Sequence, residues 1–216
     1  MDSGGSSSST GPVGKKYSVI LADPPWHWRA RSEKGTGRGA VAHYPVMRFE
    51  DIVALPVMDY AEKDCALFLW AIDPMLPKAL ELIEKWGFSY KTVAFYWAKT
   101  TKTGGFHTSM GYWTRANPEQ CLLAVRGRPK RQAKDVRRLL VSPRQEHSRK
   151  PAEVRDRIVR LVPGPYLELF ARETALGWDS MGDQAGLFDA GHVETRNRPS
   201  SLKLPFAPGP AILAEP

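Results

Sequence analysis

Residues Tyr17–Trp26, YSVILADPPW, set a short apolar run directly before an acid, two prolines and an aromatic. Apolar side chains fill Tyr17–Asp23 almost without interruption, the pattern of a strand buried on both faces of a sheet. Pro24 and Pro25 lack the N–H that a sheet ladder requires, so the strand must stop at Asp23. An acid therefore stands at the carboxyl edge of a strand. Open α/β sheets assemble their sites at such edges.

Working outward, strand and helix signals alternate. Phe49–Ala54 reads as a short helix, and Cys65–Ala71 (CALFLWA) as a second buried strand. Pro77–Trp86 carries Leu80, Ile83 and Trp86 at helical spacing, with Gly87 as the stop. Thr92–Ala98 and Gln120–Val125 read as strands. Ala152–Leu161 reads as a helix with Val154, Ile158 and Leu161 on one face, closed by Pro163-Gly164, and Tyr166–Ala171 as a further strand. The alternation predicts an α/β fold, a mostly parallel open sheet with helices on both faces. Residues 1–14 read as a flexible leader and 15–185 as one domain. Residues 186–216 read as a tail rich in Pro and Gly, poorly ordered or draped over the domain.

The 216 residues, 42% hydrophobic and 25% charged, suit a single soluble α/β domain. Apolar runs such as Ala66–Ile72 are too short to span a bilayer, and no secretory signal is visible. A cytoplasmic or nuclear protein without membrane contact is expected. Cys65 and Cys121 both fall in apolar strand runs and read as small buried hydrophobes. No cluster of His, Cys and carboxylates has ligand spacing, so no metal is expected. The net charge of +8 attracts polyanions and makes nucleic acid a candidate partner. Basic residues concentrate in two loop-like stretches: Arg29, Arg31, Lys34 and Arg38, then Arg126, Arg128, Lys130, Arg131 and Lys134. Loop cations can follow a phosphate backbone, and solvated surface charge is the competing reading of each.

Asp23-Pro24-Pro25-Trp26 suits one kind of chemistry. An adenine amine is a poor nucleophile because its lone pair is delocalised into the ring. A carboxylate and a backbone carbonyl that accept its two N–H bonds favour a pyramidal nitrogen with a directed lone pair. Two prolines stiffen such a turn, and an adjacent indole can stack on the base. The same tetrapeptide is also ordinary turn chemistry, with a Trp that merely packs.

These residues, together with AHYPVM, ALFLWA, Trp97-Ala98-Lys99, GYWTRANPEQCLLAVRG, EHSRKP, ELFAR and WDSMGDQ, resemble the MT-A family of adenine-N6 methyltransferases from about Tyr17 to Gln184. The resemblance implies a Rossmann-like methyltransferase fold with its motifs in permuted order. It also implies S-adenosylmethionine as methyl donor and no metal. Carried over by position, Asp23, Pro24, Pro25 and Trp26 form the catalytic loop. Cofactor contacts are expected from Asp23, Arg126, His147, Ser148, Arg172, Asp183 and Gln184, although Asp183 stands where the family has Asn. Tyr44 matches a gate over the site, while Lys99, Arg115 and Glu119 match positions facing the target base. Trp28 is a further candidate for that base, and Arg29, Arg31 and Arg38 for its phosphates. The acceptor is expected to be DNA rather than RNA, since one compact domain carries no separate RNA-binding module. A homodimer or a partner protein is left open. The competing classes are a catalytically dead nucleic-acid-binding subunit, a cytosine-N4 methyltransferase and a nucleotide-dependent oxidoreductase. The intact motif, Asp rather than Ser at its first position, and the lack of any G-x-G-x-x-G argue against them in turn.

Overall fold

The computed structural model describes residues 14–27, 46–145, 149–182 and 201–202. Eight strands form one sheet in the order β5-β3-β4-β2-β1-β6-β7-β8. They are β1 (Tyr17–Ala22), β2 (Ala61–Ala71), β3 (Ser89–Thr100), β4 (Glu119–Arg126), β5 (Leu139–Pro143), β6 (Tyr166–Leu169), β7 (Trp178–Met181) and β8 (Ser201–Leu202). Both neighbours of β1 run parallel to it, Ala22 facing Leu69 of β2 and Leu169 of β6. β4 is antiparallel to both β2 and β3, whereas the β3–β5, β6–β7 and β7–β8 pairings are parallel.

Alternation along β2 explains why its segment is apolar throughout. Cys65, Leu67, Leu69 and Ala71 join one core, and Ala66, Phe68 and Trp70 join the other. Helices α1 (Phe49–Val53), α2 (Val57–Tyr60) and α3 (Leu76–Lys85) contribute Ile52, Val57, Leu82 and Ile83 to the first core. Helix α4 (Glu153–Leu161) seats Val154 and Ile158 in the second. Each fully buried Leu or Phe of this central strand contributes about 1.5–3 kcal/mol. Helix α3 stops where the sequence places its glycine: Gly87 has φ +75°, a conformation costly for residues with a Cβ, and its N–H returns to the Glu84 carbonyl at 2.9 Å.

Four elements depart from the sequence reading. β2 begins at Ala61, so Glu62, Lys63 and Asp64 extend it with side chains at the surface. Helix α2 follows Pro56, where no helix is expected. β5 pairs with β3 although Leu139 and Val141 are exposed and only Leu140 is buried. β7 carries Asp179 and Ser180, and its polar content hides it in the sequence. Asp179 accepts the Tyr17 hydroxyl at 2.7 Å. The two-residue β8 aligns Ser201 and Leu202 with Ser180 and Met181, which brings one short part of the tail onto the sheet. The leader through residue 13 and the rest of the tail lie outside the described residues. No helix among the described residues is long and apolar enough to cross a membrane.

Candidate active site

β1 and β6 are adjacent and parallel, and the described helices that follow β1 lie on the opposite face of the sheet from the helix that precedes β6. Helices α1 to α3 lie on one face, and α4, which leads into β6, lies on the other. A crevice at such a switch point is where an open α/β sheet receives its ligand. Asp23 leaves the carboxyl end of β1, and Arg172 follows the carboxyl end of β6. The Arg172 guanidinium donates to an Asp23 carboxylate oxygen at 3.2 Å.

A third residue completes the clamp on Asp23. The Lys150 ammonium donates to both Asp23 carboxylate oxygens, at 2.9 and 2.8 Å, and pairs with Glu119 at 3.4 Å. Glu119 in turn accepts from Lys99. The groups alternate in sign, Arg172, Asp23, Lys150, Glu119, Lys99, and each side chain is a fifth exposed or less. Burial pushes the Glu119 carboxyl up, but Lys150 and Lys99 together hold it below its usual value. Burial likewise disfavours the Lys150 ammonium, and Asp23 and Glu119 outweigh it and raise its pKa. At neutral pH both groups are therefore charged. The aromatic floor is Trp70, with the Lys150 ammonium 5.4 Å from its ring centre.

The motif itself behaves unevenly. Pro24 is buried, and its carbonyl accepts the Trp26 N–H at 2.8 Å, leaving a second lone pair. The Pro25 carbonyl accepts the Met47 N–H at 3.0 Å. Trp26, expected to stack on a base, is only 5% exposed. Its indole donates to the Trp70 carbonyl at 3.2 Å, and its ring packs into the first core. Trp26 thus shapes the loop from beneath, and the stacking expectation is corrected.

Arg126 is also corrected. It ends β4 opposite Cys65, near the amino end of β2, while Glu119 begins β4 at the edge that carries Asp23. Seven residues at about 3.4 Å each separate the two ends of that strand. Arg126 and the exposed Arg128, Lys130, Arg131 and Lys134 lie at or beyond the edge opposite Asp23. Arg115 is exposed on the β3–β4 loop and lines an open depression of about 460 Å³ with Tyr96, Phe106 and His107. Trp28, Arg29, Arg31, Lys34, Arg38, Tyr44, His147, Ser148, Asp183 and Gln184 lie outside the described residues.

Lys150 is the residue the sequence reading missed, although it stands inside the quoted EHSRKP. Nothing in that segment shows that its lysine crosses to β1. A second ionic knot joins α4 to β6 and the segment after it. Arg155 of α4 binds Glu168 of β6 through two bonds of 2.7 and 3.1 Å, and Glu173 at 2.6 Å. Glu173 also pairs with Arg149, next to Lys150 in the chain. Burial raises the Glu168 carboxyl despite Arg155, whose own pKa is raised by its two acids against the opposing effect of burial. Both cysteines are buried thiols, Cys65 pushed up to about 12 by burial and Cys121 raised as well. Neither is a thiolate at neutral pH, in keeping with a packing role.

Comparison with known proteins agrees with this geometry. The MT-A70 family profile matches residues 17–184. The type II methyltransferase M.MunI of Mycoplasma sp. is 35% identical over 186 residues, covering 78% of this chain and 77% of its own. A protein of Medicago truncatula named a putative N(6)-adenosine-methyltransferase MT-A70-like is 32% identical. The human N(6)-adenosine-methyltransferase catalytic subunit METTL3 is 28% identical. Each of these two matches covers 78% of this chain but only 26% and 28% of the relative, so the chain spans about a quarter of their length. The profile covers nearly all of the ordered sheet and both ends of the Asp23 cluster. The chain belongs to the MT-A70 family of methyltransferases.

Proposed function

We propose that the protein methylates the N6 amine of adenine in DNA, using S-adenosylmethionine, on a Rossmann-like fold with its catalytic motif ahead of its cofactor strand. One observation carries the reading: a recessed carboxylate, Asp23, held by Lys150 and Arg172 where the carboxyl ends of β1 and β6 meet. Such a group accepts an amine N–H in a fixed direction, and the second lone pair of the Pro24 carbonyl, one residue along a stiff turn, would accept the other. Together they localise the amine lone pair. Lys150 aims the Asp23 carboxylate through two hydrogen bonds, and Lys99 and Glu119 form the polar wall beside it.

The donor set fits the methionine end of the cofactor, since an acid and two cations at one strand edge complement an amino-acid zwitterion. Arg172 and Asp23 would hold that end, with His147, Ser148, Asp183 and Gln184 proposed for the remainder. When bound, S-adenosylmethionine supplies an electrophilic methyl group on a sulfonium. The choice of DNA is supported by the match that spans most of both chains, which is to a type II methyltransferase. The test is transfer from a labelled donor to DNA and to RNA, with digestion and mass spectrometry of the nucleosides. N6-methyl-deoxyadenosine is expected. N6-methyladenosine from RNA alone would move the acceptor, and N4-methylcytosine would overturn the assignment.

A further inference from the structure

An adenine inside a duplex donates one N6 hydrogen to its partner base and presents the other only at the major-groove edge. The Asp23 side chain is only 20% exposed, held at the carboxyl end of β1 by two cations. A paired base cannot reach it, so the target must leave the stack. The gap left behind is costly unless a planar or apolar side chain fills it. Trp26 cannot serve, because it is buried.

The β3–β4 loop, residues 101–118, displays a pair that can. It springs from the two strand ends that carry Lys99 and Glu119, whose pairing makes the wall beside Asp23. Trp113 is 92% exposed and Tyr112 69%, their rings edge to face with centres 6.3 Å apart. Trp113 also has φ +67°, a backbone region that suits Gly or Asn and is unfavourable for a bulky residue. The chain thus accepts a strained backbone and a fully wetted indole at one position, a combination that marks a functional side chain.

The loop is held in place. The Asn117 side chain accepts the Lys99 N–H at 3.0 Å and donates to the carbonyls of Lys99 and His107. Ser109 N–H reaches the Ala116 carbonyl at 2.8 Å, and Thr114 N–H the Tyr112 carbonyl at 2.9 Å. Lys102, Arg115 and Arg144 are exposed on or beside its root, where phosphates flanking an opened step would lie.

We infer that Trp113, backed by Tyr112, is a wedge that enters a DNA duplex beside the target adenine and takes the place of the extruded base. This inference rests on the adenine-N6 reading above. The test uses a duplex pool with randomised flanks around one isotope-labelled adenine, placed opposite thymine in one pool and opposite an abasic site in the other. Trp113→Gly suits the positive φ and removes the ring, while Trp113→Phe keeps a ring. Single-turnover methylation of the thymine-paired pool should fall about tenfold to a hundredfold in Trp113→Gly. Trp113→Phe should retain most of the activity, and the abasic pool should largely rescue Trp113→Gly.

Equal impairment on both pools would overturn the wedge in favour of a stacking platform or a structural role, and so would undiminished activity on the paired pool. A wild type active only on single strands would overturn it too. A wild-type protein that methylates neither pool while methylating no other nucleic acid removes the adenine-N6 reading itself, and the wedge with it. Normal wild-type transfer with an unaffected Trp113→Gly removes the wedge alone.

Discussion

Replacing Lys150 by methionine keeps the length of the side chain and deletes the charge that links Asp23 to Glu119. Three short contacts disappear: two to Asp23, at 2.9 and 2.8 Å, and one to Glu119, at 3.4 Å. Removing one partner of a buried ion pair costs about 3–5 kcal/mol, because the opposing charge is left behind. Asp23 keeps Arg172 and Glu119 keeps Lys99, and both acids retain some solvent contact, so the lower end applies. About 3 kcal/mol in a domain of this size corresponds to a fall of roughly 6–12 °C in melting temperature. Turnover should fall further than stability implies, because Asp23 loses the cation that aims it. A loss on the order of a hundredfold is expected under single-turnover conditions on folded protein. A Lys150→Met protein that melts within about one degree of wild type and transfers methyl at the normal rate would refute the clamp, as that shift is well below 1 kcal/mol.

The remaining predictions concern the same edge. Asp23→Asn should lose on the order of a hundredfold to a thousandfold in methyl transfer, yet remain folded, since Lys150 keeps Glu119. Near-normal transfer would sink the proposed mechanism. Arg172→Ala should raise the KM for the methyl donor about tenfold or more while changing donor-saturated kcat less, because a charged hydrogen bond to a non-reacting part is lost. An unchanged KM with reduced kcat would contradict that role. The stability gap between wild type and Lys150→Met should depend on pH in a defined sense. Glu119 is depressed below its usual 4.5, so its contribution is complete above that value and is lost as pH falls through its folded pKa. Lys150 is raised above 10.5, so its contribution is complete below 10.5 and is lost as pH rises through its folded pKa. Urea unfolding should therefore show a flat gap between about pH 5.5 and 9.5 that narrows on the acid and alkaline sides. A gap that widens as the pH falls through the Glu119 transition would refute the assignment of charges, since protonation of Glu119 removes a charge that Lys150 offsets.

Local sequence was sufficient for what depends on local causes. A run such as CALFLWA, short and apolar throughout, reads as a strand buried on both faces, and two prolines after Asp23 end a ladder. The position of Asp23 at a strand's carboxyl edge was therefore legible from ten residues, and Gly87 marked a helix end for a reason internal to its own backbone. What escaped was set by contacts across long stretches of chain. Lys150 reaches Asp23 from 127 residues away, and no periodicity encodes which acid a lysine will meet. β7 is a strand because it completes the edge beside β6, in spite of Asp179 and Ser180. Trp26 reads from sequence as a stacking surface, and its packing into the first core overturns that; the exposure of Trp113 on the β3–β4 loop is likewise set by the packing around it. Whether a side chain is exposed is a property of what the rest of the chain covers, so burial and charge pairing are decided by the tertiary structure alone.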